Sequence, residues 1–325
     1  MNKMQMKFYV LSILFCLASL GTQAFATSEG TFQRTLQVNG AVNLDIATGS
    51  GNVQVRTGSG NQVQIIGRVR AGSWMDENSE EKVKKIVANP PIQQSGNDIR
   101  VGHIDDPELR RNVSISYEVV VPENTQLHSR TGSGDQEIEG VHGLVEIGSG
   151  SGTLKASDIG DSVRAETGSG GIEVRDVKGN LHAKTGSGNI HASEIAGGFE
   201  GDTGSGSIAL NQTARGSVHA HTGSGGLELY LTRGSLDAQT GSGTIHVEGD
   251  PTGAWTLHTG SGSVHLKLAS EASFDLNART SSGSLSIDEP ITVQGNIGKK
   301  EIHGKVHGGG VPINIETGSG DIRIQ

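Results

Sequence analysis

Apolar and polar residues alternate along this chain in short runs, and the runs recur. From Thr167 to Lys184 the order is TGSGGIEVR and then DVKGNLHAK. A period of two predicts strands whose successive side chains face opposite sides. Ile172, Val174, Leu181 and Ala183 are expected to face inward, and Glu173, His182 and Lys184 outward. The same parity turns Thr185, the first residue of the next run, inward at a corner. A buried hydroxyl there needs a partner, from stacked threonines or from the turn backbone. Glycine is expected at both corners because it reaches positive φ without steric cost.

The T-G-S-G that opens each run begins at Thr48, Thr57, Thr131, Thr167, Thr185, Thr203, Thr222, Thr240, Thr259 and Thr317, with in-phase variants at Ser149 and Thr280. From Thr131 to Thr280 successive copies lie 18, 18, 18, 18, 19, 18, 19 and 21 residues apart. A fixed period of this length marks a solenoid in which each repeat is one coil stacked on the last. The chain is expected to be all-β: a parallel β-solenoid, either a β-helix or a flattened β-roll, of about 18 residues per coil. The inward positions fall in two clusters nine apart, which favours a flattened two-row coil over a three-sided hexapeptide helix. Calcium-binding rolls share the nine-plus-nine count but carry an aspartate where this chain has Ile172, Ile190, Ile208, Leu227, Ile245 and Val264, so calcium in the turns is not expected.

Three segments depart from the repeat. Residues 1–26 read as a secretory signal: Lys3 and Lys7, an apolar run from Phe8 to Leu20, and Ala24-Phe25-Ala26 as the cleavage site. Residues 27–130 hold the first coils plus an insertion, DENSEEKVKKIV from Asp76 to Val87, whose Met75, Ser79, Val83, Ile86 and Val87 share a helical face. Ser73 and Asp76 are placed to cap this short helix and Pro90-Pro91 to stop it. We read it as a cap over the open end of the solenoid, where unpaired strand edges invite aggregation. Residues 131–325 form the regular coils. Here Ile291 to Gly310 is expected to be a loop or hairpin shielding the other end, and Asp321 to Gln325 a final strand after the last motif.

The tally of 26 basic and 35 acidic residues becomes 24 against 35 once the leader and its two lysines are removed, a net −11. That argues against nucleic acid as a partner. The single cysteine, Cys16, lies in the leader, so no disulfide or thiol chemistry is expected in the exported chain. No second apolar run is long enough to span a membrane.

The T-G-S-G-x-I-x-V repeats, the helix ending in Ala88-Asn89-Pro90-Pro91, the strand Tyr117-Glu118-Val119-Val120-Val121-Pro122 and the closing TGSGDIRI resemble the bacterial candidate-adhesin family of secreted β-strand-repeat proteins, a domain family of unknown function. The resemblance covers nearly the whole chain after the leader. It implies a β-solenoid and a periplasmic, cell-surface or secreted location, and it brings no catalytic residues.

Chemistry is sparse. One outward column runs Glu166, Lys184, Asp202, His221, and another runs Glu146, Arg164, His182, Glu200, His219, Asp237. Neighbouring coils are about 4.8 Å apart, so opposite charges are expected beside one another, as register marks. A sharper reading is a metal site: His219 and His221 on one strand face, Glu200 and Asp202 on the coil before and Asp237 on the coil after, a donor set suited to zinc or copper(II). No cofactor is expected, and no Ser-His-Asp constellation stands out. The leading functional reading is an exported, non-enzymatic structural or adhesin-like solenoid offering an acidic surface to an envelope, protein or glycan partner. The alternative is a metal- or polysaccharide-binding protein using the histidine-rich coils, and after that a polysaccharide lyase or hydrolase. Aromatics are only 3% of the chain, and just two tryptophans, Trp74 and Trp255, are available for sugar stacking.

Overall fold

The computed structural model describes residues 27–72, 78–288, 291–293, 298 and 300–325. The leader, Trp74 and the capping residues Ser73 and Asp76 lie outside these. The predicted alternation appears as two rows of strands stacked in parallel register. In row A, Val145–Ser149 pairs with Val163–Thr167, which pairs with Leu181–Thr185 and then Phe199–Thr203. In row B, Leu154–Ile159 pairs with Ile172–Val177 and then Ile190–Ile195. Ile172, Val174, Leu181 and Ala183 are buried to within 2% exposure, as the parity requires. Each buried Ile, Val or Leu contributes about 1.5–3 kcal/mol, and the repetition of this set in every coil makes one continuous core.

The corners close with a hydroxyl ladder. Thr185 Oγ1 donates to the carbonyl of Gly170 on the preceding coil at 2.8 Å and accepts from Gly188 N of its own turn at 3.1 Å. The same pair of bonds recurs at Thr131, Ser149, Thr167, Thr203 and Thr222. The buried hydroxyl's partner is therefore turn backbone and not another threonine. The reason expected for the motif glycines is corrected here. The motif glycines from Gly132 to Gly262 do not use positive φ; a Cβ on Gly188 would sit 1.9 Å from the oxygen of Gly170. Close approach of neighbouring coils excludes every side chain. Left-handed backbone instead appears in row B, at Asp158, Asp176, Glu194 and Leu231, with φ between 53° and 58°.

The ends are built differently from the sequence order. The strand Val42–Thr48 lies between Asp98–Val101 and Thr125–Thr131, and Val53–Thr57 lies between Val113–Val121 and Gln136–Glu139. The Thr48 coil is therefore second in space, and its hydroxyl bonds Ile115 O at 2.7 Å. The Thr57 copy of the motif falls outside the ladder: it ends a row B strand, beside Gly140. Beyond this coil the parallel pattern stops. Gln62–Gly72 runs antiparallel to both Val113–Val121 and Thr27–Gln37. The helix α1, Ser79–Ala88, packs on Thr27–Gln37 and Gln62–Gly72 through buried Ser79, Val83 and Ile86. Its N-cap position is Asn78. A one-turn helix α2, Pro107–Arg110, that the periodicity did not indicate is capped by Asp106.

At the other end the last motif does not close the stack. Val311–Ser319 inserts between Ile245–Ser261 and Phe274–Ser282, and Ile322–Ile324 between Val264–Leu268 and Leu285–Ile287. The expected final strand is thus an interior one. Within the segment expected to be a loop or hairpin, Ile291–Val293 pairs antiparallel with Glu301–Val306, which runs antiparallel to Phe274–Ser282.

Candidate functional site

The register brings the five proposed metal-site residues onto one surface of row A. Glu200, His219 and Asp237 are consecutive in one outward column, and Asp202 and His221 are adjacent in the next. Two of their side chains, however, turn to other partners. Glu200 accepts from His182 Nδ1 at 3.0 Å, on the coil away from His219. Asp237 accepts from Gln239 at 2.9 Å along its own strand. Among the described residues no three His, Asp or Glu side chains converge closely enough to share an ion.

Charge pairing on the columns is selective. His182 reaches Glu200 and, at 3.8 Å, Glu166; His128 reaches Glu146 at 3.1 Å. Arg164 pairs with Glu166 along its own strand. Among the described residues no ion pair joins Lys184 to either of its register neighbours, Glu166 and Asp202. Holding a long exposed side chain in one geometry costs about as much as a surface pair returns.

A concavity of about 680 Å³ lies in row B where the coils meet the antiparallel extension, and is lined in part by Arg68, Arg70, Glu118, Lys155 and Glu173. Its cations are paired: Arg68 with Glu118 at 2.6 Å, Arg70 with Glu29 at 3.0 Å and Lys155 with Glu173 at 2.7 Å. The Glu173 hydrogen bond holds the Lys155 ammonium above the ordinary lysine range.

A second cluster escaped the sequence reading. Tyr230 stands half-buried on the outward side of row B, its ring 5.6 Å from that of His246. His246 lies 6.4 Å from His265 on the next coil. Glu248 accepts from His246 Nε2 and from Lys267, each at 3.1 Å, and these two bonds hold its carboxyl below the usual range. Beside Tyr230, Leu231 is 54% exposed and has φ 57°. The other Phe, Tyr and Trp rings among the described residues (Phe32, Tyr117, Phe199, Trp255 and Phe274) are buried in the core. Trp255 donates its indole N–H to Gly234 O at 2.9 Å, so it offers no stacking face. A single tyrosine inside LELYL carries no periodic signal; only the strand parity that makes Leu229 inward could have picked it out.

Three solved structures are similar to this chain in part. A candidate cell adhesion protein from Clostridium sporogenes is 13% identical with a TM-score of 0.26, covering 91% of this chain and 99% of that one. A candidate adhesin from Bacteroides fragilis is 13% identical with a TM-score of 0.32, and one from Parabacteroides distasonis is 9% identical with a TM-score of 0.31; each alignment covers 91% of this chain and 97% of the other. No curated protein matches the sequence. The profile of the family described as Toastrack DUF4097 matches residues 44–232 and again 160–325. With those two matches spanning all the regular coils and the ladder that joins them, the chain belongs to the Toastrack DUF4097 family.

Proposed function

We propose that the protein is an exported, non-enzymatic structural or adhesin-like solenoid whose flat outward rows meet an envelope or cell-surface component. The observation that carries this reading is the use of the repeat itself. Each regular coil commits its inward residues to the core and its corner hydroxyl to the neighbouring backbone. Only the outward columns are left free for recognition. In this reading residues 1–26 direct export and are removed, leaving a net −11 chain that presents an acidic surface. The helix α1 and the hairpin before Val311 then shield the two ends against edge-to-edge pairing.

Export is tested by cell fractionation combined with protease shaving of intact cells, and adhesion by binding of the purified exported chain to whole cells. Retention in the cytoplasm would overturn the reading. So would turnover of a polysaccharide by the purified chain. A second reading, metal binding by His219 and His221 with Glu200, Asp202 and Asp237, is favoured by one observation: the register sets these residues on three successive coils. It requires Glu200 and Asp237 to leave His182 and Gln239.

A further inference from the structure

The row B cluster around Tyr230 differs from the rest of the outward surface in three independent ways. Tyr230 is the outward-facing member of the Phe, Tyr and Trp rings among the described residues, the others being core. Leu231, its neighbour, is one of two large apolar side chains exposed among them; its left-handed backbone is the one row B repeats at Asp158, Asp176 and Glu194. That backbone costs a non-glycine residue roughly 1 kcal/mol or more. Third, the ring continues sideways across coils, Tyr230 to His246 to His265, with Glu228, Glu248 and Lys267 beside the aromatic strip.

We infer that this strip is a binding site for a neutral carbohydrate chain, with the Tyr230 ring as the stacking platform. The inference rests on the adhesive reading and names its partner's chemistry. A pyranose ring has an apolar C–H face and an equator of hydroxyls. The C–H face suits Tyr230 and the edge of Leu231; the hydroxyls suit acceptors at Glu228 and Glu248 and donors at Lys267 and the imidazoles. The strip runs along the stack, where coils repeat about every 4.8 Å, so successive sugars of an extended chain could meet successive coils. A protein partner fits less well: a stable protein interface buries about 1,200–2,000 Å² around an apolar core, and here the exposed apolar groups amount to one half-buried ring and one leucine. An anionic polysaccharide is disfavoured by Glu228 and Glu248 and by the net charge of the exported chain.

The test is affinity electrophoresis of the full exported chain through gels containing a soluble neutral polysaccharide (galactomannan, mixed-linkage β-glucan or hydroxyethylcellulose), with alginate as the anionic control. One or more neutral polymers should retard it and alginate should not. Tyr230→Ala should weaken retardation about tenfold, the order of a lost stacking contact, while Tyr230→Phe should keep it. Because Tyr230 is half-exposed, the alanine variant should keep its melting temperature. Leu231→Gly should raise the melting temperature by relieving the left-handed backbone and yet weaken binding, a combination that a purely structural leucine would not give. No retardation by any neutral polymer, or equal retardation of wild type and Tyr230→Ala, overturns the site. Whole-cell binding that survives glycan oxidation by periodate but is lost on protease treatment of the cells, and is abolished by Tyr230→Ala, also overturns it, because the occupant is then a protein. In either case cell adhesion by the wild type would leave the adhesive reading standing.

Discussion

Adding a single methyl group at Gly170 tests the account of why the repeat contains glycine. In Gly170→Ala the new Cβ would lie 1.9 Å from the oxygen and 2.5 Å from the carbon of Gly152 on the neighbouring coil. Both are backbone atoms, so no flexible side chain can yield, and the coils must separate locally by roughly 1 Å to restore a tolerable contact. The ladder crosses that gap. Thr167 Oγ1 donates to Gly152 O at 3.0 Å, Gly170 N donates to Thr167 Oγ1 at 3.2 Å, and Thr185 Oγ1 donates to Gly170 O at 2.8 Å. Opening the corner leaves one or two of these buried groups unsatisfied, at about 1–3 kcal/mol each. The reduced entropy of the unfolded chain returns about 0.4–1 kcal/mol. The expected net loss is about 3 kcal/mol, read as a lower urea midpoint at unchanged slope. Gly171→Ala is the matched control, since its Cβ meets Asn189 O at 3.7 Å, an ordinary contact; it should be neutral or slightly stabilising. Equal midpoints for the two alanine variants would refute the reasoning. So would rescue by Gly170→Asn, because asparagine tolerates left-handed backbone but brings the same Cβ.

Four further outcomes follow from the same geometry. Thr185→Val should cost about 2–3 kcal/mol by leaving Gly170 O and Gly188 N unpaired, whereas Thr185→Ser should cost little, as Ser149 already fills the equivalent corner; urea melts compare them. Leu227→Asp should destabilise strongly through a charge at a fully buried position, and Glu228→Ser on the outward side should be nearly neutral in the same assay. The Tyr117 hydroxyl is buried without a partner and burial pushes its pKa up. Below the ordinary tyrosine range of about 10 the neutral phenol is native in both states; above it the unfolded chain ionises first, so stability falls as pH rises. Tyr117→Phe should remove that alkaline loss and stabilise at neutral pH by about 1 kcal/mol, read from thermal melts at several pH values. For the metal reading, calorimetric titration with zinc or copper(II) should show no saturable site that His219→Ala/His221→Ala abolishes; a tight one-to-one isotherm lost in that double variant and weakening at low pH would establish the site.

The rows and their phase were legible because each regular coil repeats the same physical solution: two inward clusters, a hydroxyl at the corner, and no Cβ where coils touch. Leu154, Ile172 and Ile190 differ in shape but not in role, so periodicity alone places them. The cause of the glycines was not legible. A left-handed turn and a carbonyl 1.9 Å from a would-be Cβ both demand glycine, and only the stacking geometry separates them. For the five proposed metal-site residues the register was legible, and the direction in which each side chain turns was not. Strand pairing fixes which Cα atoms are neighbours, but Glu200 chose His182 over His219 because a carboxylate between two imidazole coils can turn either way. Tyr230 was passed over for the opposite reason: its significance comes from what surrounds it in space, namely His246 and His265 on later coils.

The reordering of the ends follows from the problem every solenoid faces. A coil at the end of a stack has lost one neighbour, and with it half of its ladder bonds and inter-coil contacts. If the Thr48 and Thr317 coils stood at the ends, each would expose a row of unpaired strand groups. Both are instead enclosed by chain that lies between them in sequence: residues 98–121 cover the Thr48 coil, and residues 274–287 cover the Thr317 coil. Thr317 thereby keeps a donor bond to Gly262 O at 2.8 Å, and its turn still receives Thr280, through Gly320 O at 2.9 Å. The covering segments are then closed by antiparallel strands, Gln62–Gly72 at one end and Glu301–Val306 at the other, and these do not continue the coil period. A parallel edge with the coil's own register would recruit the next copy of the same coil. An antiparallel edge of different length breaks that template, so the stack stops.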